Sequence, residues 1–170
     1  MNKFKLSHLQ TTIDICSDTQ AVTIDQVWEK LVDWQGQSEW MLATKVWSLP
    51  SSIGASEEGS GIGVEIFAFT GLFAGRYSPK KISSRLGILD AMVVRVWQPP
   101  MFCEVAHVGA IIKGSGEFRL EPITGGVRFH WLEVIEAPWP ILILLRPGIL
   151  FGVKLSLRRF RTLCLAEALT

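Results

Sequence analysis

Charge is scarce in this chain. Acidic and basic residues occupy 19% of its 170 positions, below the usual quarter, and they nearly cancel to a net +1. No basic cluster interleaved with aromatics precedes the C-terminus, which excludes a nucleic-acid surface. Cysteine is sparse and odd in number. Cys16, Cys103 and Cys164 lie far apart with no CxxC spacing, as expected of reduced thiols acting as small hydrophobes in a cytoplasmic protein. Histidine occurs only at His8, His107 and His130, without HxxxH or HExxH spacing, so no metal centre is expected. There is no GxSxG nucleophile elbow. The GSGIG run at 59–63 precedes a strand-like stretch instead of opening a helix, so no cofactor phosphate is expected there. The first ten residues carry no long apolar run after their lysines, hence no secretion signal is expected. Internal repeats and low-complexity segments are also missing.

What remains is hydrophobic material. Apolar residues make up 48% of the chain, including seven tryptophans, at a length suited to one domain spanning 1–170. The last third, 138–169, concentrates it. A membrane span needs about 20 mostly apolar residues. The window 139–157 contains Arg146, Pro147, Gly148, Gly152 and Lys154, and a central Arg costs about 2.5–3.5 kcal/mol on insertion. A buried helix is therefore expected, kinked or interrupted at Pro147. From Val153 onward, Val153, Leu157, Phe160, Cys164 and Ala168 recur at helical spacing and mark a buried stripe. Such a helix needs an apolar partner surface.

The preceding residues supply strands. Residues 6–16 alternate, with Leu9, Thr11, Ile13 and Ile15 opposed to His8, Gln10, Thr12 and Asp14. Thr23 and Gln26 form a capping-box pattern for a helix ending near Leu31, with Val27, Trp28 and Leu31 on its buried side. A second short helix is expected over 37–41 and an extended stretch over 43–49. Residues 50–63 read as a loop, 64–69 as a strand and 71–87 as an irregular connection. Four strands follow, over 88–97, 102–112, 116–121 and 127–137. Pro99-Pro100, Gly114 and Gly125-Gly126 punctuate them, the signature of an antiparallel meander. The architecture expected is α+β: a curved antiparallel sheet of six to seven strands wrapped around a long C-terminal helix, with two short helices after the first strand.

The residues inside that order resemble the START-type helix-grip (SRPBCC) superfamily, most closely its polyketide cyclase/dehydrase-like branch. Val27-Trp28, Leu31, Asp33, Trp34 and Glu39-Trp40 are similar to the family's opening pattern over its first two helices. Gly61, the Pro99-Pro100 turn, the Gly125-Gly126 hairpin and the amphipathic terminal helix follow in the expected order. Ser38 stands where the family often has proline, and the 71–87 connection is longer than usual. The resemblance implies a hollow between sheet and helix that takes an apolar small molecule or lipid, without implying one chemistry.

A bent sheet and a helix touch poorly at their centre, so an apolar space lined by aromatic side chains is expected there. Trp28, Trp40, Phe67, Phe69, Trp97, Phe118, Phe129, Trp131, Leu157 and Phe160 are its candidate ligand-binding residues. Filling a core is the competing role for each tryptophan. On the last strand, Val127, Phe129, Trp131, Glu133 and Ile135 share a face. With that face inward, burial should raise the Glu133 pKa and fit it as general acid or ligand anchor; a bulge or strand end that lets it reach water is the competing reading. His107 shares a face with Cys103, Val105 and Ile111, and the pattern does not say whether that face is inside. Asp90, aligned with Ile88, Met92, Val94 and Val96, is equally open. Tyr77, the sole tyrosine, sits in the long connection, where it could bond a ligand at the mouth of the hollow; a surface role is the competing and favoured reading. Glu133, His107 and Tyr77 are thus the catalytic candidates. The function expected is binding of a hydrophobic small molecule or lipid, by a monomer or homodimer. A polyketide cyclase-type enzyme using the same hollow is the first alternative. A peripheral membrane or partner-docking protein using 139–150 is the second.

Overall fold

The structure, a computed structural model, describes residues 4–19, 21–49, 61–71, 87–110 and 112–168, with the backbone alone at 4–5 and 137–145. The loop expected at 50–60, and the connection at 72–86 that carries Tyr77, lie outside the described residues.

Alternation in the first residues produces β1 (Phe4–Cys16), with Leu9 and Ile15 buried on its inner face. The capping box forms as the sequence predicts: the Gln26 amide donates to Thr23 Oγ1 at 3.3 Å and the Thr23 amide to Gln26 Oε1 at 3.0 Å. It starts α1 (Ile24–Val32), which buries Val27, Trp28 and Leu31. After α2 (Gln37–Trp40) comes β2 (Thr44–Leu49). Ser38, in place of the proline expected from the resemblance, ties these two together. Its hydroxyl accepts from the Val46 amide at 2.9 Å and donates to the Val46 carbonyl at 3.2 Å.

The meander is β3 (Glu65–Gly71), β4 (Gly87–Gln98), β5 (Phe102–His107), β6 (Lys113–Ile123) and β7 (Gly126–Pro138), and it runs directly into α3 (Trp139–Glu167). The sheet order is β1-β7-β6-β5-β4-β3-β2, with every pair antiparallel. The chain therefore makes its first strand, crosses through α1 and α2 to the far edge, and works back strand by strand until β7 pairs with β1. Helix α3 then packs on β1, β7, α1 and α2. This is a helix-grip-like α+β architecture.

Several features differ from expectation. Strand β5 ends at His107 instead of near 112, and β6 starts at Lys113 instead of 116. The intervening turn is apolar because Ile112 packs against Leu9 and Ile135, so its composition mimics a strand. In β4 the register with β5 shifts between Val94 and Val96, leaving Arg95 as a bulge. The bulge moves Val96 off the face of Met92 and Val94 and turns Trp97 inward, opposite Cys103. Helix α3 runs through Pro147 as a single element, with no second segment opening there. Pro147 is exposed, so the hydrogen bond it forgoes does not disturb the packed side. The front of this helix is also less buried than expected: Arg146, Pro147, Gly148 and Phe151 are exposed, and burial is continuous only along Leu157, Phe160, Cys164 and Ala168.

Candidate functional site

The register places three ionisable side chains on the inner face of the sheet, on a diagonal across β4, β5 and β7. Met92 lies opposite both Ile66 and His107, and Asp90 lies opposite Ala68. Glu133 lies opposite Leu9 on one side and Gly116 on the other. Cys103, Val105 and His107 are all buried, which settles the question that the alternation of this strand left open: the histidine face is inside.

Strand β6 separates His107 from Glu133, yet the two side chains meet. The reason is glycine. Gly114 and Gly116 hold the inner positions of β6 next to them, so no side chain fills the gap. A Cβ on Gly116 would sit 3.0 Å from Glu133 Oε1 and 3.1 Å from Val105 Cγ2. Through this opening His107 Nε2 reaches Glu133 Oε2 at 2.8 Å, while Nδ1 reaches Asp90 Oδ2 at 2.7 Å. The second Glu133 oxygen accepts from the Trp131 indole N–H at 2.8 Å. Both His107 and Glu133 are buried, at 7% and 9% exposure, so solvent screens this network little.

Burial alone would push the imidazole pKa down. The hydrogen bonds to Asp90 and Glu133, together with their charges, outweigh it and raise His107 to about 10. His107 is accordingly an imidazolium at neutral pH, donating from both nitrogens. Neither nitrogen offers a lone pair to a metal ion. Glu133 is not in the purely apolar surroundings that alternation suggested, nor does it reach water by a bulge or strand end. The Cys103 thiol next to this region is pushed up to about 12, by burial first and Glu104 second, which removes it as a nucleophile.

The aromatic candidates divide into three groups. Trp40, Phe118, Phe129, Trp131 and Phe160 pack on one another at centroid distances of 4.9–6.4 Å, with Leu157 beside them in the same core. Trp28 and Trp97 meet edge to face at 5.0 Å, with Trp34 against Trp97. Phe67 and Phe69 are different: Ile66 and Ala68 occupy the inner face of β3, so these two point to the opposite face, where Phe67 stacks on Trp47 at 5.6 Å. They do not face α3, because the alternation of β3 turns them away from it. Tyr77 lies outside the described residues. Among the described residues, three buried polar atoms on the inner side have no hydrogen-bond partner: Asp90 Oδ1, Trp40 Nε1 and Trp97 Nε1.

Asp90, whose side of β4 the sequence left open and which was not among the catalytic candidates, is the third member. The GSG run at 114–116 was the available signal, since alternate glycines on a strand clear one face for a neighbour's side chain.

No family model matches the chain, and no curated protein matches it. Solved structures do. A protein from Nitrosomonas europaea superposes with a TM-score of 0.64 at 12% identity, covering 96% of this chain and 97% of its own. The di-domain ARO/CYC StfQ from the steffimycin biosynthetic pathway gives 0.65 at 12% identity, over 97% of this chain and 52% of that one. A START superfamily protein from Mycobacterium smegmatis gives 0.63 at 11% identity, over 92% and 98%. At such identities the likeness is one of fold: the chain has a START/polyketide cyclase-like fold.

Proposed function

We propose that this protein binds a hydrophobic small molecule or lipid between the sheet and α3, with the Asp90, His107 and Glu133 network orienting the ligand's polar end. The network itself is the observation that carries this reading. Burying ionised groups costs several kcal/mol each, and a well-packed apolar substitute is often as stable or more so. A charged row inside an otherwise apolar sheet face is thus poorly explained by stability alone. The unpartnered Asp90 Oδ1, Trp40 Nε1 and Trp97 Nε1 support it, as groups a bound ligand can satisfy. So does the partial exposure of Met92, Trp97 and Val64 against the core. Affinity would come mainly from apolar burial, at about 25 cal/mol per Å². The reduced, buried thiols of Cys103 and Cys164 suit a cytoplasmic setting. Native mass spectrometry of protein taken from cells tests the reading: a co-purifying apolar mass is expected. An empty protein that also fails to take up fluorescent fatty acids or retinoids would overturn it.

A second reading, a polyketide cyclase-type enzyme, is favoured by one observation: acid and base groups that are far apart in sequence meet in the interior. In an aldol closure, Glu133 would take the proton from the carbon between two carbonyls and the enolate carbon would attack a second carbonyl. His107 would then protonate the resulting alkoxide. Glu133→Gln and His107→Ala should each cut turnover of a poly-keto substrate by far more than they weaken its binding, and Tyr77→Phe tests the third candidate. Unchanged turnover in all three would dismiss this chemistry.

A further inference from the structure

The outward side of α3 combines features that neither ligand binding nor the core requires. Between Trp139 and Ala166 the helix contains Arg146, Lys154, Arg158, Arg159 and Arg161 and no acidic residue. Its one carboxylate, Glu167, pairs with Lys30 of α1. The chain as a whole carries only +1, so the residues outside this helix together are net negative. Arg146, Lys154, Arg158 and Arg159 are all exposed. Among the described residues no carboxylate forms an ion pair with any of them. Arg161 turns instead to a shallow groove shared with Asp14 and Arg128.

Among these cations stands Phe151, 67% exposed. Phe151, Lys154 and Arg158 follow at spacings of three and four, which aligns them on one side of the helix, about a third of a turn round from the buried Leu157, Phe160 and Cys164. Register puts further apolar groups at the same end of the sheet. Ile149 and Leu150 pack with Leu9, Ile112 and Ile135. His107, Gly114, Ile135 and Ser7 form one row across β5, β6, β7 and β1. One residue beyond that row, Val108 and Leu6 are exposed at 51% and 58%. Glu136 lies there too, opposite Lys113 in register.

We propose that this end of the molecule, with α3 lying along it, docks on an anionic lipid bilayer: Phe151 enters the headgroup boundary while Arg146, Lys154, Arg158 and Arg159 face lipid phosphates. The commitment to a bilayer rests on charge complementarity. Unpaired cations flanking one protruding aromatic on a helix are the pattern of a helix that lies in the interface plane. No described helix is long and apolar enough to cross a membrane, which agrees with lying on it. Isolated polybasic attraction is short-ranged and salt-sensitive, and one inserted aromatic adds modestly to it, so the docking is reversible. His107 and Asp90 stand directly behind this end, so docking would bring a ligand's polar end close to the network as it enters. The docking itself does not depend on the ligand-binding reading.

Co-sedimentation of the full chain with vesicles tests the proposal. Pelleting is expected with phosphatidylglycerol-rich vesicles, with little on pure phosphatidylcholine, and it should decline as salt is added. Each neutralised cation at the surface should weaken binding about fivefold. Lys154→Gln with Arg158→Gln should therefore lose roughly 25-fold, and Phe151→Ser should weaken binding at every salt concentration. These positions are exposed, and an unchanged thermal midpoint would show that the variants fold. Absence of pelleting, equal pelleting on both vesicle types, or binding indifferent to all three substitutions overturns the proposal. So does a dimer that Phe151→Ser dissociates in a chain that ignores vesicles, since the face would then serve a second copy. Loss of docking with ligand uptake intact, or the reverse, separates this inference from the proposed function.

Discussion

His107 owes its position to two side chains that are missing. Glycine at 114 and 116 lets the imidazole on β5 extend past β6 to Glu133 on β7, while Asp90 holds the other nitrogen from β4. Because the folded-state pKa is raised above the unfolded one, the network stabilises the fold fully below about pH 6.5. That contribution is lost as pH rises through about 10. Urea denaturation should therefore show a midpoint that declines across this window, and NMR should find the His107 ring still protonated at pH 8. Replacing Glu133 with Gln should lower the His107 pKa. His107→Ala, which leaves the buried Glu133 without its cationic partner, should cost about 3–5 kcal/mol. A smaller variant test concerns Gly114, whose φ is +129° and whose added Cβ would lie 1.8 Å from the Val134 carbonyl oxygen. Gly114→Ala should lose about 2 kcal/mol or more in denaturant melts, because the obstacle is backbone and cannot rotate away.

At the scale of elements, α3 is anchored by more than its apolar stripe. Ser156, buried in the helix, accepts the Leu42 amide at 2.9 Å and donates to the Gly152 carbonyl at 2.7 Å. It pins the helix to the turn before β2. Ser156→Ala should cost about 1–2 kcal/mol, since the Leu42 N–H loses its acceptor; a mutant with an unchanged urea midpoint would show that water replaces the hydroxyl. Phe160→Ala, which removes the ring wedged between Trp40 and Phe129, should cost about 3–5 kcal/mol. Elements were also the scale at which the sequence was most readable. Alternation placed the inward sides of β1, β6 and β7, Thr23 and Gln26 placed the start of α1, and the stripe from Val153 to Ala168 placed the packed face of α3. Local patterning could not reveal the Arg95 bulge, because the extra residue is defined by a partner strand. For the same reason it grouped Val96 with Met92 and Val94, and it did not turn Phe67 and Phe69 away from the helix. The Asp90, His107 and Glu133 meeting was out of reach too, since it depends on pairings across four strands.

At the scale of the whole molecule, the sheet supplies an apolar face and the helix covers part of it, while α3 carries exposed cations along its outward side. The proposed ligand should stabilise the protein by mass action, about 2.7 kcal/mol at a hundredfold excess over its dissociation constant. A thermal shift should accompany any true ligand recovered by mass spectrometry. Compounds that bind without a shift would be surface additives.

Pairing of β1 with β7 also constrains how the fold is reached. Thr12 and His130 touch across 118 residues, so the first strand leaves the ribosome long before the strand it will bond exists. In the meantime its edge, with Leu9, Ile13 and Ile15 on one side, has no native partner within the nascent chain. Folding should be slow, as expected when distant segments must find each other, and a polypeptide halted before residue 126 should depend on a holding chaperone to stay out of aggregates.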